Sequence, residues 1–149
     1  MNIGSIEEAD LEALCSMVRL NFESVVRMCY VALRYMKPKG SGSLINTSSL
    51  AGLKTFPHLG VYNGTKFAVE ALTDALRMEL AGSGVKVAVV EPGRTSTHLF
   101  DHWAAKQKFD PAQGMLEPED VARCVRFILE QPKEVLIPRL LVVPARQPR

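Results

Sequence analysis

The sequence predicts a doubly wound α/β domain built on a parallel sheet, and three observations carry that expectation. Segments with apolar residues at three-and-four spacing alternate with short apolar runs, in the order helix, strand, helix, strand, helix, strand. The connections between successive strands take ten residues or more, which hairpins do not need and right-handed parallel crossovers do. The chain has 149 residues, enough for one substantial core, with no internal repeat, low-complexity tract or linker, so residues 1–149 read as one domain.

Each element follows from its local pattern. Over residues 6–37, Leu11, Leu14, Met17, Val18, Val25, Met28, Cys29, Ala32, Leu33 and Met36 recur at helical spacing, and Pro38 and Gly40 are expected to end one long amphipathic helix. GSGSLINTSS then passes from a Gly/Ser turn through Leu44 and Ile45 into hydroxyl residues, as a buried strand with a polar C-terminal end would. A second helix is expected from Tyr62 to Leu80, on Phe67, Val69, Ala71, Leu72, Ala75, Leu76 and Met78, stopped by Gly82 and Gly84. VKVAVV at 85–90 is the strongest strand, ended by Pro92 and Gly93. A mobile-looking stretch runs to about Leu116, and Glu117-Pro118-Glu119-Asp120 opens a helix that continues to Leu129. A last strand at 140–143 closes the pattern, and the strands are expected side by side in the order 44–47, 87–91, 139–143.

Composition narrows the functional classes. Hydrophobic residues are 47% and charged residues 23%, the balance of a soluble globular protein, and 18 Lys+Arg against 16 Asp+Glu leave +2. That charge is too small to argue for nucleic acid or an anionic membrane as a partner, so the expected partner is a small molecule held in a site. Cys15, Cys29 and Cys124 are odd in number and widely spaced, which reads as buried free thiols in a reducing compartment with no metal spacing. No apolar run is long enough to span a bilayer and the N-terminus is acidic, so the expected location is cytoplasmic.

In open α/β sheets ligands bind beyond the C-terminal ends of the strands, which directs attention to the residues after Ile45 and Val90. Asn46, Thr47, Ser48 and Ser49 follow the first strand, and Tyr62 and Lys66 lie four apart at the start of the next helix, on one face. A neighbouring ammonium lowers a phenol's pKa, which would make Tyr62 a proton donor to a developing alkoxide, with a hydroxyl from the strand end bonding the same oxygen. Each piece alone also has an ordinary structural reading: a surface Tyr/Lys stacking pair, turn serines, a solvated Asn21, a plain Pro92-Gly93 strand terminator. Their joint order is what points to a site.

Asn21, GSLINTSSLAG, Tyr62-Asn63-Gly64-Thr65-Lys66 and VAVVEPGRTST, in that order, resemble the short-chain dehydrogenase/reductase superfamily over essentially the whole chain. The resemblance implies the last three strands of a Rossmann fold and an NAD(P)-dependent oxidoreductase interconverting an alcohol and a carbonyl. It implies Tyr62 as general acid/base, Lys66 as the group that lowers its pKa and holds the nicotinamide ribose, and Ser49, three after Asn46, as the group orienting the substrate. Asn21 resembles the member that anchors a water leading from Lys66 to solvent. Pro92 and Gly93 resemble the turn against the nicotinamide, and Thr97 its carboxamide partner. The ending, LLVVPARQ, is similar to an NADP-linked subgroup acting on small hydroxy acids such as serine, which favours NADP over NAD.

The glycine-rich half of that fold has no counterpart here: no Gly-x-x-x-Gly-x-Gly occurs in the 149 residues. The expectation is a truncated catalytic half that is inactive alone and assembles as a homodimer or homotetramer. The alternative is a non-catalytic fragment or pseudoenzyme that serves as a dimerisation module. The segment from Thr97 to Leu116, the lid position in the resembling family, leaves substrate identity open.

Overall fold

The computed structural model describes residues 6–99 and 114–147. Three parallel strands, β1 (Gly42–Thr47), β2 (Val85–Pro92) and β3 (Arg139–Val142), form one sheet in the order β1-β2-β3. Gly42 pairs with Val85 and Thr47 with Val90, while Val89 pairs with Arg139 and Pro92 with Val142. The expected fold class and strand order are therefore present, with β1 starting earlier and β2 running on through Pro92. Central position explains β2: all its residues but Lys86 are buried, and each fully buried valine contributes about 1.5–3 kcal/mol.

Helices cover both faces. The first is α1 (Leu11–Val18), preceded by a 3-10 turn at Ile6–Glu8 and followed without a break by a π turn at Arg19–Glu23 and α2 (Ser24–Lys39). From α2, Cys29 and Leu33 join Leu76 and Leu80 and the β2 side chains Val85 and Val87 in one core cluster. Leu76 comes from α3 (Gly60–Glu79). On the opposite face Ile128 of α4 (Pro118–Leu129) packs on Ala88 and Val90, so successive β2 residues feed alternate faces as pleating demands. At the start of α4, Glu117 and Asp120 cap each other's backbone N–H groups.

The long helix departs from expectation in three ways. It starts at Leu11, where Asp10 accepts hydrogen bonds from the N–H groups of Glu12 and Ala13. It runs through Pro38 to Lys39, because a proline so near the end costs at most one intrahelical bond. Its apolar set is wider than the face the sheet covers, and Leu11, Val18 and Met28 stay exposed. The cysteines are free, yet only Cys29 is buried, with Cys15 exposed and Cys124 half-buried. Most of the 97–116 segment lies outside the described residues. Among those described, no helix is long and apolar enough to cross a membrane, and no group of three His, Cys, Asp or Glu is placed to hold a metal.

Candidate active site

Beyond Thr47 the ladder continues for one bond, Ser48 N–H to Val90 O at 2.8 Å, and the chain then turns away. Ser49 is extended and its Oγ accepts the Ala51 N–H at 3.1 Å, capping a 3-10 turn at Leu50–Gly52. His58 takes a left-handed conformation, φ 63°, just before the chain enters α3. Tyr62 stands in the first turn of that helix, its ring packed with Met17, Ala51 and Leu59. Lys66 lies one turn later. Its Nζ donates to Thr47 O at 3.1 Å and sits 5.8 Å from the centre of the Tyr62 ring.

From the other side comes the end of β2, with Pro92 buried and Gly93 N–H bonded to Val142 O at 2.7 Å. A Cβ on Gly93 would stand 2.5 Å from Gln147 Oε1 and 3.0 Å from Val143 Cγ1, so the bare backbone lets the C-terminal segment close tightly on this turn. Gln147 Oε1 also accepts the Arg94 N–H at 3.0 Å. These walls enclose a cavity of about 640 Å³ bordered by Ser49, Tyr62, Lys66, Pro92, Gly93 and Thr97. Six of the seven sequence-nominated residues thus meet around one space. The seventh, Asn21, stands behind it in the π turn: its Nδ2 donates to Thr65 Oγ1 at 3.3 Å, and Thr65 Oγ1 donates to Tyr62 O at 2.7 Å.

Burial dominates the electrostatics of the site. Burial raises the Tyr62 phenol above its ordinary value, and the hydrogen bond with Ser49 offsets this only in part. Burial also lowers the Lys66 ammonium, opposed by the charge of Glu70. Tyr62 is therefore a neutral phenol at neutral pH, with burial as the dominant influence on it.

Two features escaped the sequence reading. Gln147 reaches the Gly93 turn across 53 residues, with no local signal to reveal it. Glu91, buried at the end of β2 and bonded to Arg139 at 3.2 Å, was visible as a carboxylate ending an apolar strand.

A family model described as short chain dehydrogenase matches residues 1–108. The chain belongs to the short-chain dehydrogenase family. It is 38% identical over 136 residues to glycine betaine reductase ATRR of Emericella nidulans, covering 88% of this chain and 11% of that protein. It is 37% identical over 140 residues to the oxidoreductase YbbO of Escherichia coli, covering 88% of this chain and 51% of that one. A closed form of serine dehydrogenase complexed with NADP+ superposes with a TM-score of 0.87 at 27% identity, over 99% of this chain and 62% of that one. The chain thus spans about half of YbbO and a small part of the fungal reductase.

Proposed function

We propose that this chain carries the catalytic part of an NAD(P)-dependent oxidoreductase that interconverts an alcohol and a carbonyl, with Tyr62, Lys66 and Ser49 as its proton-transfer site. The observation that carries the reading is the convergence of a buried phenol, the Ser49 hydroxyl and an ammonium on one cavity at the strand ends. The residues fit the nicotinamide end of a dinucleotide: Tyr62 and Lys66 offer donors to a ribose, the Pro92–Gly93 backbone offers a flat wall, and Thr97 adds a hydroxyl. When bound, the cofactor supplies or accepts the hydride. NADP is preferred in this reading, following the serine dehydrogenase complex.

In the reducing direction Tyr62 Oη gives its proton to the substrate oxygen as negative charge develops there. Ser49 hydrogen-bonds that same oxygen and holds it in reach of the phenol. The Lys66 ammonium faces the phenolate left behind, and this is where its charge acts: on the product of proton transfer rather than on the resting phenol. Asn21, through Thr65 and the Tyr62 carbonyl, fixes the first turn of α3 and resembles the water-anchoring member of a path from Lys66 to solvent. The described lining holds two cationic side chains, Lys66 and Arg94, and no carboxylate, which supports a substrate with an anionic group, such as a small hydroxy acid.

The decisive test joins these residues to the glycine-rich half of a relative such as YbbO and follows NADPH oxidation or NADP+ reduction against alcohols and carbonyls. Turnover that depends on Tyr62 supports the reading; a folded protein that binds NADPH and turns over nothing overturns it. The 149 residues alone, holding no phosphate turn, are expected to bind NADPH at about millimolar affinity or weaker, because remote contacts worth roughly 1.5–3 kcal/mol each are absent.

A dimerisation role has its own support. Leu20, Met28, Val31 and Tyr35 form an exposed apolar stripe along the long helix, and Phe67 and Met78 of α3 are exposed as well. Self-association through these helices predicts a dimer or tetramer in sedimentation at tens of micromolar, and a clean monomer contradicts it.

A further inference from the structure

Beneath the cavity, α3, β2 and β3 meet at a cluster of charges. Glu91, the residue before Pro92, is only 2% exposed, and Glu70, one turn beyond Lys66, only 5%. Both face Arg139: Nη1 lies 3.2 Å from Glu91 Oε1 and Nη2 lies 3.4 Å from Glu70 Oε2. Neither oxygen of Glu70 has an aligned donor. Asp74 sits 2.8 Å from Arg139 Nη2 and 2.9 Å from Arg77 Nη2, so it takes the closest approach to both guanidiniums. Glu70 and Glu91 are left to share the remainder of one cation. Two ionised carboxylates held by one guanidinium away from water repel and lose solvation together, and a shared proton removes both costs.

We propose that Glu70 and Glu91 share one proton beneath the cavity, and that this carboxyl pair, clamped by Arg139, is a positioning element for Lys66 and the Pro92–Gly93 turn. Glu91 is covalently joined to Pro92. Glu70 Cγ would stand 3.1 Å from a Cβ on Gly52, so it underlies the turn that follows Ser49. Its charge is also what opposes the burial of the Lys66 ammonium. Loss of the shared proton adds a negative charge at this junction, tightens the hold of Lys66 on its own proton and drives α3 away from β2. The consequence for catalysis rests on the function proposed above; the pair itself does not.

The electrostatics agree with the geometry. Burial, then the charge of Glu70, pushes the Glu91 carboxyl up to about 7, with Arg139 pulling the other way. The charged groups around Glu91 are Glu70 and Asp74 from α3, Arg77 behind Asp74, Lys66 a turn before Glu70, and Arg139 from β3. On the β1 side the neighbour is the neutral Ser48. A carboxyl with its folded pKa raised binds its proton more tightly in the native state. The pair therefore favours folding most at acid pH and loses that contribution between about 4.5 and about 7.

The test is a carboxyl carbon NMR titration of the 149-residue chain. One glutamate is expected to titrate near neutrality, and this transition is expected to vanish in Glu91→Gln. All glutamates titrating below about 5 would overturn the shared proton. In the same samples the Lys66 Cε titration is expected to move to lower pH in Glu91→Gln, as a nearby negative charge is lost. An unchanged Lys66 would overturn the positioning role. Should Glu91→Gln fail to fold, Glu70→Gln is expected to move the near-neutral transition and the Lys66 titration both to lower pH, and the wild-type titration already decides the proton. In the joined enzyme, Glu91→Gln is expected to remove an ionisation near neutrality from the kcat profile. Absence of any activity there would count against the proposed function and leave the two NMR results to judge the pair.

Discussion

The two ends of the sheet are built from opposite materials. At the N-terminal end the strands start from backbone pressed on backbone: Gly84, at φ +80°, leaves no room for a Cβ, which would overlap the Gly40 carbonyl, and Leu80 and Val85 fill the space behind. At the C-terminal end the same strands deliver Asn46, Ser48 and Glu91, all buried and polar. Burying a polar group costs free energy unless it is bonded, and a domain that needed only stability would have put apolar side chains there. Polar burial concentrated at one end of an otherwise apolar sheet marks the end under functional constraint, whereas the glycines of the other end answer to packing alone.

Substitutions at the two ends should therefore separate activity from stability. The largest effect is expected for Tyr62→Phe in the joined enzyme: turnover lower by on the order of 10² to 10⁴. Its melting temperature should stay near that of wild type, because the ring's contacts with Met17, Ala51 and Leu59 survive. Full activity in that variant would remove Tyr62 from the mechanism. Gly84→Ala comes next and should do the reverse, costing about 2–4 kcal/mol in urea unfolding through strain and overlap, with resonances around Ser49 and Gly93 unmoved. Shifts spreading to those residues would show that the two ends are mechanically coupled.

Gly93→Ala should cost less, about 1–2 kcal/mol, since the Gln147 side chain can swing aside while Val143 and Pro144 give only slightly. The specific sign is faster hydrogen exchange at the Arg94 N–H once its bond to Gln147 Oε1 is lost. Protection retained there would mean that another acceptor holds the turn. Asp10→Ala, far from both ends, should cost about 1 kcal/mol as the loss of a helix cap, and calorimetry showing no change would mean that the first turn of α1 is held by other contacts.

Much of this contrast was legible in the sequence. Short apolar runs mark the three strands and helical spacing marks the long helices, because an element must bury apolar surface whatever its partners. The four-residue spacing of Tyr62 and Lys66 puts both on one helix face, and their position after a strand puts that face at the ligand end. What escaped depends on packing across the chain. The sign of the Tyr62 shift follows from burial, which Met17, Ala51 and Leu59 impose from three separate segments. The exposure of Leu11 and Met28 follows from how little of the helix surface the sheet covers. Glu70 and Arg139 lie far from Glu91 in the chain, and only the fold brings them to it.

The π turn at Arg19–Glu23 sets a phase difference within one helix. Its i→i+5 bonding takes in about one residue more than an α turn, and a residue advances an α-helix by about 100°. Leu14 and Met17 before it head toward Tyr62, while Cys29 and Leu33 after it head toward Val85 and Val87. The helix is thus written in two reading frames, with the π turn as the frameshift between them. Removing a single residue from 19–23 is therefore expected to give a regular helix with both halves still on their partners, whereas a deletion on either side of the π turn swings one half away.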